Sequence, residues 1–207
     1  MSTMYDSVTA GDIPASATMV AGYVDGRFAW SDADWARFPN ATKIRIAVSY
    51  LTNDGDVLDV EDGDATPAQA RTWILMRNAS GLPVPTIYCA KSVMSQVQAA
   101  CGDCTYDIWV ADWTGRAHLV DGSAATQWAD PSLGSGGHYD VSMVVDWWPR
   151  TAVSDTAGLV TALAYESDTL GDHITRLANE LRALATDADT IVAEMQRVRT
   201  QFIGARP

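Results

Sequence analysis

Lysine is nearly missing from this chain: Lys43 and Lys91 are its only lysines, and 14 basic residues face 26 acidic ones, a net charge of −12. Binding nucleic acid needs clustered cations to neutralise phosphates, so no nucleic-acid partner is expected. The same acidity gives no electrostatic help against anionic polymers. No apolar run approaches the ~20 residues that cross a bilayer, which predicts no membrane partner. The first residues, Met1-Ser2-Thr3-Met4-Tyr5-Asp6, lack a basic stretch followed by an apolar one. The expectation is therefore synthesis in a cytoplasm without a secretory signal. Cysteine is scarce too, and Cys89, Cys101 and Cys104 do not make a disulfide framework. Cys101-Gly-Asp-Cys104 has C-x-x-C spacing, but there is no second pair and no histidine near it in sequence. It reads as a reduced or locally bridged structural pair, with no metal and no cofactor expected.

What the chain does have falls into two textures. Up to about Trp148 it alternates short apolar strands with turns. Eight candidate strands run over residues 4–8, 19–24, 43–50, 57–61, 85–90, 107–113, 126–129 and 139–145. Several are continuous hydrophobic runs, as in parallel strands buried on both faces. Thr66-Pro67 starts a helix, with Thr66 as N-cap and Pro67 at the first helical position, and Gly81 stops it. Shorter helices are expected over 92–100 and 32–38. The fold class predicted is α/β, a small degenerate (β/α)8 TIM-like barrel over residues 1–150 followed by a long C-terminal coiled-coil helix. The links from the third to the fourth strand and beyond the sixth are too short for full helices.

Residues 151–155 read as a linker, and 156–204 as the coiled-coil oligomerisation helix. Apolar residues recur at three- and four-residue spacing: Val160, Leu163, Leu170, Ile174, Leu177, Leu181, Leu184, Ile191, Met195, Val198 and Phe202. Ser167 and Ala188 hold two thinner layers of the same heptad. Such a stripe has to pack on something, and self-association into a homo-oligomer, trimer or dimer, is the expectation. A continuous helix there would be about 65–75 Å long.

The chemistry-bearing stretch is Val57-Leu58-Asp59-Val60-Glu61-Asp62. Residues i and i+2 of a strand share a face, so Asp59 and Glu61 project together. Two neighbouring acids in different environments are the minimum for cutting a glycosidic bond, one protonating the leaving oxygen and one stabilising positive charge. Other residues keep this pair company in order: Tyr5-Asp6, Ile108-Trp109-Val110-Ala111-Asp112-Trp113, Gln127-Trp128 and Gly137-His138-Tyr139-Asp140-Val141. With that ordered set, residues 4–149 resemble the family 25 glycoside hydrolases, lysozyme-like muramidases of bacteria and phages. More closely, they resemble the short family-25-like domains of actinobacteria and their phages. The resemblance implies a site at the C-terminal ends of the barrel strands. It implies Glu61 as general acid, Asp59 steadying positive charge or a participating acetamido group, and Asp6 and Asp140 completing the carboxylate ring. Tyr88, Trp109, Trp113 and Trp128 would offer flat faces to sugar rings, or serve as core.

Two functions stand at this stage. One is a virion-associated oligomeric structural protein of a phage, a head decoration, fibre or tail component. It would be made in the host cytoplasm, would contact other virion proteins and would display a glycan-binding head. The other is an active muramidase-type hydrolase of cell-wall peptidoglycan, an endolysin or virion-associated lysin. The stalk favours the first and the carboxylates favour the second.

Overall fold

In the computed structural model, the described residues are 1–150 together with Asn179, Arg182, Met195 and Arg197, each of which is helical. The chain divides into two compact units, Met1–Leu163 and Ala164–Pro207. Met195 is 67% exposed; the other heptad positions and the 151–155 linker lie outside the described residues.

Among the described residues eight strands close into a barrel in sequence order: β1 (Ser2–Asp6), β2 (Met19–Tyr23), β3 (Thr42–Ala47), β4 (Val57–Val60), β5 (Thr86–Ala90), β6 (Asp107–Ala111), β7 (Ala125–Ala129) and β8 (Asp140–Val144). The first seven run parallel to their neighbours. The eighth does not: β8 is antiparallel to both β7 and β1. A full (β/α)8 barrel has eight parallel strands, so this chain departs from it at the closing strand. The 130–139 link before it holds only a one-turn 3₁₀ helix, Pro131–Leu133. Such a link is enough for an antiparallel return, but its length does not impose one, since β3 and β4 run parallel across the shorter 48–56 link.

Three α-helices accompany the strands: α1 (Asp32–Ala36), α2 (Pro67–Ala79) and α3 (Met94–Cys101). The start of α2 is set locally. The Thr66 hydroxyl accepts from the Gln69 amide and the Gln69 side chain accepts from the Thr66 amide, a reciprocal capping box, with Pro67 behind it. At the other end Gly81 takes φ +64°, which L side chains rarely adopt. Where β3 meets β4 without a helix, α2 supports the turn from outside. Trp73 Nε1 donates to the Thr52 carbonyl at 2.7 Å and the Arg77 guanidinium to that of Asn53 at 2.8 Å.

Alternation along each strand turns side chains either into the barrel or outward, and a separate outer cluster gathers Ala10, Ile13, Val20, Trp30 and Phe38. Leu58, Val60, Ile87, Cys89, Ile108 and Val110 point outward and pack under α2 and α3 on Trp73, Ile74, Val97 and Cys101. Met4, Ile44, Ile46, Val57, Trp109, Ala125 and Val144 fill the barrel itself. Its floor is closed by the segment after β8, where Trp148 is buried and its indole donates to Thr86 Oγ1 at 2.8 Å. The Arg150 guanidinium then grips both oxygens of buried Asp107. All three cysteines are free thiols. Burial pushes the Cys89 and Cys101 thiols up to about 12, so both stay protonated and inert, as structural cysteines do.

Candidate functional site

The barrel interior changes character at its upper end. Lower down it is mostly apolar; towards this end six strands bring in polar side chains: Asp6 on β1, Tyr23 on β2, Asp59 on β4, Tyr88 on β5, Gln127 on β7 and Asp140 on β8. This end is where the parallel strands finish. The reversal of β8 is what brings Asp140 there, because that strand begins at the mouth. Asp6 and Asp140 are direct register partners.

Gln127 joins these groups. Its side chain is 1% exposed and uses its full hydrogen-bonding capacity. Oε1 accepts from the Tyr88 hydroxyl at 2.8 Å and from Trp113 Nε1 at 2.9 Å. Nε2 donates to Asp6 Oδ2 at 2.9 Å and to Asp140 Oδ2 at 3.2 Å. An indole can only donate, so Trp113 fixes which end of the amide is oxygen, and the NH₂ group must face the two acids. In the sequence Gln127 stands out only as half of the Gln127-Trp128 pair. A signal was there: it is a polar residue two positions beyond inward-facing Ala125.

Asp59 and Glu61 are brought to one side of β4, with Val60 turned to the outer core between them. Asp59 is 1% exposed. Its Oδ2 accepts from the Tyr23 hydroxyl at 3.1 Å and its Oδ1 is buried without a partner. Burial, then the Glu61 and Asp64 charges, lift its pKa to about 8, so Asp59 is neutral at pH 7. Burial, then the Asp59 and Asp6 charges, hold the Tyr23 phenol far up as well, which keeps it a donor. Glu61 lies just past the strand end, half-buried. Burial and Asp64 raise it, and the Tyr88 hydroxyl pulls the other way. A recess of about 340 Å³ opens beside it, lined by Val60, Glu61, Asp62, Ala90 and Val93.

Asp6 and Asp140 are raised together. Burial comes first for both; Asp140 is the next cause for Asp6, and Asp130 the next for Asp140, which reaches about 6. Asp6 Oδ1, like Asp59 Oδ1, is buried with no partner. The four acids expected at the site are thus at one end of one barrel, with proton affinities spread by their surroundings. Such a spread is what acid–base work requires.

The four aromatic residues separate. Trp109 is 1% exposed, packed edge-on against Tyr88 at 4.8 Å between centroids and donating to Ser142 Oγ at 3.0 Å; it is barrel core. Tyr88 is buried and contributes its hydroxyl. Trp128 is the extra residue of a β-bulge between Gln127 and Ala129, half-buried, and the hydrogen bonds that knit the site run through its neighbour. Trp113 is 49% exposed with its indole nitrogen anchored on Gln127, which leaves a face open at the rim. Phe28, not singled out from sequence, is also exposed, beside Tyr23 at 6.4 Å between centroids. Among the described residues no group of three ligating side chains converges as a metal site would need.

No protein-family model matches the chain. No curated protein matches it. Among solved structures, a muramidase from Acremonium alcalophilum is similar at a TM-score of 0.45 and 11% identity, over 78% of this chain and 98% of that one.

Proposed function

We propose that the barrel is a glycoside-hydrolase-type head that binds amino-sugar cell-wall glycan at its mouth and cleaves it. The observation that carries this reading is the Asp59–Glu61 pair. One acid is buried and neutral at pH 7, and the other is half-buried at the rim where a glycosidic oxygen can reach it. Glu61 is the general acid, donating to the leaving oxygen. Asp59 supplies the second carboxyl: it gives its proton to water and, as an anion, steadies the positive charge at the anomeric carbon, where a water then adds and returns a proton to Glu61. Tyr23 holds Asp59 by one oxygen and leaves the other buried and unpartnered. The heptad over 156–204 supports a setting in which several heads are displayed together, so that weak glycan contacts add up. Attachment to a phage virion as decoration, fibre or tail component, through contacts with other virion proteins, fits a trimmed barrel on a stalk; that setting rests on sequence pattern alone.

The test is release of reducing ends from N-acetylated and partly deacetylated cell-wall glycan, wild type against Glu61→Gln, between about pH 5 and 7. Activity that disappears in Glu61→Gln is the expected result. No release by either folded protein from any glycan would make the barrel a scaffold.

A further inference from the structure

The mouth is short of positive charge, and its donors, Tyr23, Tyr88, Trp113 and Gln127, are already engaged. Asp6, Asp59, Glu61 and Asp140 sit in the barrel; Asp62 and Asp64 follow Glu61, and Asp64 adds to the repulsion on both Asp59 and Glu61. Among the described residues, no Lys, Arg or His forms an ion pair with any of the four. The nearby Lys91 is committed to Asp112 at 2.6 Å, and Arg27 lies over the Phe28 ring. Two carboxyl oxygens, Asp6 Oδ1 and Asp59 Oδ1, are buried with no partner. A buried polar atom left unmatched costs free energy, and a ligand that supplies the match recovers it.

Resting on the glycan reading above, we propose that the sugar seated on these acids carries a free amine: the site takes a de-N-acetylated hexosamine unit, bound as its ammonium. A primary ammonium brings three N–H donors and the missing charge. A quaternary ammonium brings charge without donors, and a metal ion would need three converging ligands that the described residues do not offer. The exposed faces of Trp113 and Phe28 at the rim suit a pyranose ring, and Gln127 holds the Trp113 indole in place. An N-acetyl group would cancel the charge.

The proposal has a thermodynamic signature. Asp59 meets Tyr23 from β2, Asp6 from β1, Tyr88 from β5, and Glu61 and Asp64 from its own loop. None of these groups is cationic, so an arriving ammonium is the group that draws the proton off the cluster. Binding then releases protons to the buffer.

The experiment is calorimetric titration of the full chain with a β-1,4-linked glucosamine tetramer and with its N-acetylated counterpart. It is run at about pH 6, in two buffers of different ionisation enthalpy. The expected result is at least about tenfold tighter binding of the free-amine tetramer, with proton release, and loss of that preference in Asp59→Asn. Equal or tighter binding of the acetylated tetramer without proton release overturns the inference and leaves the glycan reading standing. Unchanged free-amine binding in Asp59→Asn would assign the effect to the acidic surface and also overturn it. Binding of neither tetramer overturns both.

Discussion

Asp6 and Asp140 are register partners across β1 and β8, and one amide nitrogen, Gln127 Nε2, donates to both. Gln127 thus keeps two mutually repelling acids in fixed positions, and the Trp113 indole keeps Gln127 from turning over. Replacing it with glutamate puts a third acid where two donors had been. We expect Gln127→Glu to lose about 2–4 kcal/mol at pH 8 and to regain part of it on acidification. Urea melts at two pH values measure this, and Trp113 fluorescence should shift as its anchor goes. Equal loss at both pH values would mean only packing was disturbed.

Asp59 predicts a pH dependence. Its folded pKa, about 8, lies above the 3.8 of an ordinary aspartate, so the folded state binds its proton more tightly than the unfolded chain does. The stability from that proton is complete below about pH 4 and is lost as pH rises through about 8. Asp59→Asn should therefore change thermal stability little near pH 4. Near pH 8 it should raise it by up to a few kcal/mol, on the order of what removing a buried unmatched charge yields. A melting temperature for Asp59→Asn below wild type at pH 8 would contradict this.

Gly22→Ala should damage both the fold and the mouth. A Cβ on Gly22 would lie 2.4 Å from the Trp30 ring. That indole donates to the Ser7 carbonyl at 3.1 Å, holding the loop that follows Asp6. A cost of about 1–3 kcal/mol is expected from chemical denaturation, because overpacking forces the ring to move. Glycan affinity should fall with it.

Truncation separates the head from the stalk. A chain ending after Arg150 keeps the Trp148 plug and the Arg150–Asp107 clamp, and should fold as a monomer. One ending after Val144 loses both; deleting a buried Trp alone costs about 3–5 kcal/mol, enough to unfold a marginal domain. Circular dichroism and light scattering check the pair. An oligomeric 1–150 chain would show that the stalk assignment is wrong.

Much of the barrel was legible in the sequence because its strands are apolar runs bounded by turns. All eight strands and three helices fall where the pattern put them, within a few residues at each end. The direction of β8 was not legible, since an apolar run reads the same both ways, and link length does not discriminate: 48–56 joins parallel strands and 130–139 antiparallel ones. Asp59 and Glu61 followed from period-two alternation. The roles of the aromatics did not, because alternation gives the face of a residue and not its depth. Trp109 and Trp113 are both Trp on or just past β6, yet one lies inside the barrel and the other at its rim. Gln127 carried no charge to draw notice, and its importance lies in four partners from four other places in the chain.

The reversed closing strand also settles where the domain's chain begins and finishes. Ser2 pairs with Val144, and the Met1 ammonium meets Asp146, so first and last strand lie side by side at the end away from the acids. The domain is in effect a ring with its seam on the far side. It can be cut elsewhere, between the exposed Asn53 and Asp54 for example, and rejoined through a short bridge from Arg150 to Met1. The order of strands around the ring, and the meeting of Asp6 with Asp140, would survive that reordering of the gene.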